Sequence, residues 1–339
     1  MTESKAMILG CAGKTLSPDE MRFYREERPW GFILFARNIG EPDQISDLVA
    51  SMRDCIGRPD APVFIDQEGG RVQRLRPPIA PNYPAGAAIG ALYRQDREAG
   101  LRAAWLQARL HAFDLQRFGI TADCLPVLDV PIEGASDVIG SRAYGTQPDA
   151  VIALGRAAAD GLMAGGVMPV MKHIPGHGRA FADSHLALPV VDASLEDLRA
   201  HDFLPFKALR HLPAAMTAHI VFTAIDPERP ATTSSKVVGE IVRGEIGFDG
   251  LLISDDTSMK ALSGDFSEKA AAILAAGCDL VLHCNGVMEE MAGIASTTKA
   301  LTGKSLERAE RALDCIKRED GTHETAFRAE FANYFEAVA

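Results

Sequence analysis

Three stretches of this sequence gather residue types that can carry proton transfer, nucleophilic attack and recognition of a polyhydroxylated ligand. The first is Asp66-Gln67-Glu68-Gly69-Gly70-Arg71-Val72-Gln73-Arg74. Its twin glycines permit a tight turn with close backbone approach. Asp66 can accept hydrogen bonds from sugar hydroxyls, and the Arg74 guanidinium can donate a fork of them. A surface turn closed by an internal ion pair is the competing reading of the same residues. The second stretch is Lys172-His173-Ile174-Pro175-Gly176-His177-Gly178, followed by Asp183-Ser184-His185. Pro175, Gly176 and Gly178 force a loop, and that loop concentrates three histidines, a lysine and an aspartate. Asp183 lies two residues from His185, where a carboxylate can orient the ring and favour its imidazolium form. His185 would then donate a proton near neutral pH. The third stretch is Leu251-Leu252-Ile253-Ser254-Asp255-Asp256-Thr257. Asp255, at the end of an apolar run, can attack a sugar carbon and form a covalent intermediate. Of the two adjacent aspartates, one is expected to be nucleophilic and the other structural.

These groups need a scaffold that brings them together. Short apolar runs recur at 6–9, 31–35, 62–65, 120–130, 168–171, 214–219, 251–254 and 279–283, each separated by a helical pattern. Runs so continuously apolar suit strands buried on both faces of a parallel sheet. Between them, Ser17-Pro18-Asp19-Glu20 reads as a capping box with proline at the first helical position. Leu101, Trp105, Ala108, Ala112 and Leu115 recur at helical spacing before Gly119, and Ser194 opens another helix with Asp197 three residues on. Gly165-Gly166, Gly247 and Gly277 stand where helices should end before a strand. Eightfold alternation predicts an α/β fold, a single (β/α)₈ barrel over residues 1–339 with room for one irregular strand. A doubly wound open sheet is the runner-up. The tail from about Ser305 reads as an outer helix.

In such barrels the reacting groups sit at the C-terminal strand ends. The polar residues found there are Arg37-Asn38, Asp66 to Arg71, Asp129, Lys172-His173, His219, Asp255-Asp256 and Asn285. An aspartate after a strand is most often a helix cap, so the force of the pattern lies in its repetition.

Bulk properties narrow the function further. The chain has 339 residues, 47% hydrophobic and 24% charged, with a formal net charge of −11. An acidic surface without a Lys/Arg cluster argues against a nucleic-acid partner. No stretch approaches the roughly 18 apolar residues of a membrane span. The opening segment is too short in apolar residues, and lacks the basic lead, for a signal peptide. The six cysteines form no CxxC pair, which suggests neither a zinc site nor a disulfide framework; Cys278 and Cys284 read as buried thiols. The expectation is a cytoplasmic monomer with no cofactor and no metal.

At these residues the sequence resembles glycoside hydrolase family 3, in its short β-N-acetylglucosaminidase branch. The resemblance covers nearly the whole chain: Gly31-Phe32-Ile33-Leu34-Phe35-Ala36-Arg37-Asn38, the Asp66 to Arg74 stretch, Pro126-Val127-Leu128-Asp129-Val130, Ile139-Gly140-Ser141-Arg142-Ala143-Tyr144-Gly145, the histidine loop and Ser254-Asp255-Asp256. It implies a barrel, a retaining mechanism and hydrolysis of terminal β-linked N-acetylglucosamine. By motif position Asp255 is the nucleophile, His185 the acid/base and Asp183 its partner, while Asp66, Arg74, Arg142, Lys172 and His173 match sugar-binding positions. In bacterial relatives the substrate is a muropeptide fragment carrying N-acetylglucosamine on an anhydro-muramic sugar, which implies cell-wall recycling in the cytoplasm. Two departures stand out: Ile174 replaces the usual phenylalanine and Thr257 the usual leucine. The chain is expected to do without the further C-terminal domain of longer members, so that one domain completes the site.

Three other readings fit parts of the pattern. A metal-dependent barrel hydrolase would use His173, His177, His185, His219 and Asp255, but Lys172 would set a positive charge beside any cation and no His-x-His lies near the first strand. A sugar sensor on an inactive scaffold would not need Asp255 with the Asp183–His185 set. An N-acetylglucosaminide phosphorylase would keep the glycosyl-enzyme and accept phosphate.

Overall fold

The computed structural model describes residues 3–181, 188–317 and 323–335. Its centre is a closed barrel of eight strands: β1 (Lys5–Leu9), β2 (Pro29–Leu34), β3 (Val63–Ile65), β4 (Ala122–Asp123), β5 (Met168–Ile174), β6 (Ala214–Thr217), β7 (Leu251–Asp256) and β8 (Leu280–His283). Each pairs in parallel with its sequence neighbour, and β8 pairs with β1 to close the ring. The helices α1 (Pro18–Glu27), α2 (Pro42–Ile56), α3 (Gly86–Gln95), α4 (Arg97–Gln116), α5 (Pro148–Ala164), α6 (Phe203–Ala208), α7 (Phe266–Ala276) and α8 (Met288–Thr297) fall between or after them. A wide-turned π-helical segment, Val237–Glu245, fills the connection from β6 to β7. The fold is the (β/α)₈ barrel expected from the alternation of apolar runs.

Strand parity divides the core into two layers, because successive side chains point to opposite faces. Ile8, Phe64, Ala122, Met168, Val170, Ala214, Met216, Leu251, Ile253, Leu280 and Leu282 pack together inside the barrel. Met7, Leu9, Val63, Ile65, Met171, Ala215, Leu252 and Val281 face outward into the helix layer. Every strand is therefore buried on both sides, which is why the runs carry no polar alternation.

The local signals fold as their chemistry dictates. Ser17 Oγ accepts from the Glu20 N–H at 3.2 Å while Glu20 accepts from the Ser17 N–H at 2.8 Å. Ser194 caps its helix through the Asp197 N–H at 3.0 Å. Gly119, Gly166, Gly247 and Gly277 all hold positive φ, the conformation that needs no Cβ clash to be relieved.

Three boundaries differ from the sequence expectation. The run 120–130 is not one strand: only Ala122–Asp123 pairs as a ladder, with an isolated bridge from Val127 to Lys172. Pro126 has no N–H to offer a ladder, so the backbone leaves the sheet and returns. Lys172 and His173 lie inside β5, and Asp255 and Asp256 inside β7, instead of following them. The tail forms two helices, α9 (Gly303–Leu313) and α10 (Glu324–Ala332). Leu301, Ala309 and Ala312 join the interior cluster and so close the floor of the barrel. Among the described residues no helix is long and apolar enough to cross a membrane.

Two small residues on α3 decide where the loop around Arg142 can lie. A Cβ on Gly86 would stand 2.3 Å from the Arg142 carbonyl oxygen, and one on Gly90 would stand 1.6 Å from that of Tyr144. Four residues apart, they share one helix face, and only their lack of side chains lets the loop backbone rest on it. Gly90→Ala is expected to lose about 1–3 kcal/mol of stability through overpacking. The same change should raise KM by moving Arg142, whereas Gly57→Ala, with open space around its Cβ, should leave KM alone. Urea unfolding and steady-state kinetics on both variants check this.

Candidate active site

The inward parity of three strands continues past their apolar residues into charged ones. On β3 it passes from Phe64 to Asp66 and then Glu68, on β5 from Met168 and Val170 to Lys172, and on β7 from Leu251 and Ile253 to Asp255. All of these strands end at one cavity, lined on its polar side by Asp66, Arg74, Arg142, Lys172, His173, His177, Asp255 and Asp256. Ile33, Phe35, Met216 and Leu282 supply its apolar wall. It holds about 700 Å³ of atom-free space open to solvent.

The dominant electrostatic feature is a chain of alternating charges. Arg74 donates to Asp66 at 2.9 Å, and Lys172 bridges Asp66 at 2.8 Å and Glu68 at 2.7 Å. Arg142 grips Glu68 with two parallel bonds of 2.9 and 2.7 Å. The Lys172 side chain is only 2% exposed and that of Glu68 4%. Burial pushes the Asp66 and Glu68 carboxyls upward, but the adjacent cations outweigh it. Asp66 is held far below the carboxylate range by Lys172 and Arg74, and Glu68 is lowered to about 2 by Arg142 and Lys172. Burial opposes the charge of Lys172, yet Asp66 and Glu68 together raise its pKa. The guanidinium of Arg74 also lies 5.0 Å over the Phe35 ring, which fixes its plane.

Asp255 and Asp256 differ in how firmly they are held among the described residues. Asp256 accepts from the N–H groups of Cys284 and Ser258 at 3.1 Å each and from the Ser258 hydroxyl. Asp255 accepts a single bond from the Asp256 N–H at 2.8 Å. Among the described residues no cation sits within ion-pair distance of it. Burial would raise its pKa, but His219, His173, the Asp256 N–H and Lys172 more than offset that and lower it. The result is a carboxylate that is ionised, accessible and, among the described residues, not neutralised by a direct partner.

The chain matches the model of the glycosyl hydrolase family 3 N-terminal domain over residues 26–315. The chain belongs to glycosyl hydrolase family 3. It is 42% identical over 277 residues to a β-hexosaminidase of Methylococcus capsulatus, covering 80% of each chain. It is 40% identical over 283 residues to a β-hexosaminidase of Pseudomonas aeruginosa, covering 83% of this chain and 82% of that one. Among solved structures, NagZ of Neisseria gonorrhoeae in complex with N-trifluoroacetyl-D-glucosamine superposes with a TM-score of 0.88 at 30% identity, covering 98% of both chains. A family 3 β-N-acetylglucosaminidase of a Paenibacillus species superposes with a TM-score of 0.84 at 30% identity, covering 97% of this chain and 67% of that one.

Six of the eight predicted site residues of this family 3 chain meet in the cavity: Asp66, Arg74, Arg142, Lys172, His173 and Asp255. Asp183 and His185 lie outside the described residues. The internal ion pair proposed as an alternative for the first motif does exist, between Asp66 and Arg74, and it is part of the cavity wall. Sequence reasoning placed Glu68, Asp129 and His177 in its polar strand-end and loop motifs but did not select them as sugar-site residues. The signal for Glu68 was its spacing: two residues from Asp66 in extended backbone, it shares the inward face, while Gln67 points away to bond the Leu75 carbonyl. His177 lines the cavity next to His173, their rings 5.6 Å apart. Burial and the neighbouring His173 lower its pKa to about 4.

Two of the histidines that suggested a metal set, His173 and His219, are otherwise engaged. His219 meets the Thr232 hydroxyl at 2.7 Å and the Asp256 carbonyl at 3.0 Å, and His173 meets Asp129 at 2.7 Å. Among the described residues no three His, Cys, Asp or Glu side chains are grouped to hold a metal ion. The two departures are absorbed locally. Ile174 is fully buried in the outer core layer, and the Thr257 hydroxyl bonds His283 Nδ1 at 3.0 Å.

Removing Glu68 leaves Arg142 and Lys172 without their shared anion, so Glu68→Ala is expected to cost about 3–5 kcal/mol at pH 7. The Glu68 pKa is depressed in the folded state, so its contribution is complete above its ordinary value of 4.5 and is lost as pH falls toward about 2. Urea titrations of both proteins at pH 7, 4 and 3 should show the gap between them narrowing as pH drops. A gap that stays constant would mean that Glu68 is not the charged member of this chain.

Proposed function

We propose that this family 3 β-hexosaminidase is an exo-acting, retaining β-N-acetylglucosaminidase whose substrates are muropeptide fragments bearing N-acetylglucosamine on an anhydro-muramic sugar. Cell-wall recycling in the cytoplasm would be its setting, with the chain acting as a monomeric barrel. The observation that carries the reading is that Asp255, ionised and without an ion-pair partner among the described residues, shares one cavity with Arg74, Asp66, Lys172 and Arg142, which Glu68 links from behind. The relatives' β-hexosaminidase activity and the N-trifluoroacetyl-D-glucosamine held by the gonococcal homologue support the sugar class.

In this mechanism the charge chain and His173 hold the sugar by its hydroxyls, with donors and acceptors fixed in direction before binding. Asp255 attacks the anomeric carbon, and the bond to the leaving oxygen breaks as that oxygen takes a proton from His185. Water then attacks the glycosyl ester, loses its proton to His185 and releases the sugar with its configuration retained. The roles of His185 and Asp183 rest on the sequence motif. An imidazole in place of the usual second carboxyl spares Asp255 the repulsion of a like charge when it leaves.

The expected kinetics separate the two roles. Asp255→Ala should abolish turnover of every β-N-acetylglucosaminide. His185→Ala should slow a natural disaccharide by about 10²–10⁴-fold and an aryl glycoside with an activated leaving group by much less, since that bond breaks without protonation. Equal slowing of both substrates would remove His185 from the acid role. A 2-acetamido-5-fluoro sugar should label Asp255, read by peptide mass mapping; labelling of another carboxylate would end the nucleophile assignment. Released sugar should be free N-acetylglucosamine with or without phosphate, and a 1-phosphate product would make the enzyme a phosphorylase instead.

A further inference from the structure

Asp129 is fully buried behind the cavity wall, at the end of the detour that follows β4, and it lies outside the cavity lining. Its carboxylate is nonetheless occupied by the two histidines that do line the cavity. Oδ1 accepts from the backbone N–H groups of His173 at 3.2 Å and His177 at 2.7 Å. Oδ2 meets His173 Nδ1 at 2.7 Å. Burial disfavours the charge of this group, but His173 and His177 outweigh it and hold its pKa at about 2, so it is an acceptor at any working pH. Since a carboxylate accepts only, Nδ1 of His173 must carry the proton in that contact.

We propose that Asp129 is a positioning residue that commits His173 to the Nδ1–H tautomer and thereby makes its Nε2, on the cavity side of the ring, a hydrogen-bond acceptor for a hydroxyl of the substrate sugar. The inference rests on the reading that this cavity binds the sugar. Its chemical point is polarity. Arg74, Lys172 and Arg142 already offer the cavity donors, and the carboxylates of Asp66 and Glu68 are largely consumed by those cations. A sugar hydroxyl is both donor and acceptor, so a site built only of donors would leave its proton unmet. His173 in this tautomer supplies a neutral acceptor on the sugar-facing wall without bringing another negative charge beside Asp255. The bond made by one ring nitrogen sets the character of the other.

The geometry makes Asp129→Asn a selective probe. Two backbone N–H groups fix which side must remain an oxygen, so the amide oxygen keeps the Oδ1 place and the NH₂ takes that of Oδ2. A donor then faces His173 Nδ1, which becomes the acceptor, and the proton moves to Nε2. The ring stays in position while its cavity edge changes from acceptor to donor.

Long-range ¹H–¹⁵N correlation spectra of the imidazole, read on the full chain, test this directly. In its neutral ring the wild type should show His173 protonated at Nδ1 and bare at Nε2, and Asp129→Asn should show the reverse. With a β-N-acetylglucosaminide substrate the variant should lose about 10- to 100-fold in kcat/KM, carried mainly by KM, with a melting temperature close to that of the wild type. A wild-type His173 protonated at Nε2 would overturn the proposal, as would a variant whose kcat/KM stays within about twofold. If the variant does not fold, the wild-type spectrum alone decides. The tautomer is read without substrate, so a protein that shows it yet hydrolyses no β-N-acetylglucosaminide would refute the function proposed above and leave the role of Asp129 standing.

Discussion

Lys172 is a nearly inaccessible ammonium suspended between two carboxylates, and much of the cavity is arranged around the need to compensate it. A lone cation in that position would cost several kcal/mol in lost hydration. The protein meets that cost with Asp66 and Glu68, and each of these carries a second cation, Arg74 or Arg142. The result is a row of five charges in which no anion or cation stands alone. Such a row is poor evidence for stability, since a packed apolar cluster would serve as well, but it fixes five polar side chains in direction before any ligand arrives. For a substrate whose recognisable surface is hydroxyl groups, that rigidity is the useful property.

The row also accounts for what Asp255 can be. Lys172 contributes to lowering the Asp255 pKa without touching it, so the carboxylate stays ionised while Oδ2 keeps no direct partner among the described residues. Asp256, one residue away, also borders the cavity, but it is tied down by the backbone around Cys284 and Ser258. Identical side chains at adjacent positions thus differ in how many hydrogen bonds hold them. His219 belongs to the same division of labour. Its two ring nitrogens bond Thr232 and the Asp256 carbonyl, so it steadies the end of β7 and does not itself line the cavity.

The scaffold reaches this arrangement through close approach as much as through burial. Arg142 comes from a connection far from Glu68 in sequence, and it meets that carboxylate only because Gly86 and Gly90 leave α3 without side chains beneath its loop. Arg71, from the motif that contains Glu68, holds the other side of that loop by donating to the carbonyls of Asp137 and Val138. Recognition of a small polar ligand is thereby tied to backbone packing well outside the cavity.

The sequence by itself determined the architecture, because eight two-sided apolar runs separated by capped helical segments are compatible with few folds besides a parallel barrel. It also marked the polar strand ends as the place for chemistry, and six of the residues it singled out do converge there. It offered an ion pair within the Asp66 to Arg74 motif and a ligand-facing role as alternatives, and it could not show that Glu68 and Lys172 tie that pair to Arg142. Nor could it show that Asp129 serves the site from behind the wall. Those facts depend on contacts between residues 44 to 106 positions apart, such as Asp129 with His173 and Asp66 with Lys172. Periodicity reports which face a side chain takes within its own element; which partner waits on that face is settled only when the barrel closes and sets the strands in register.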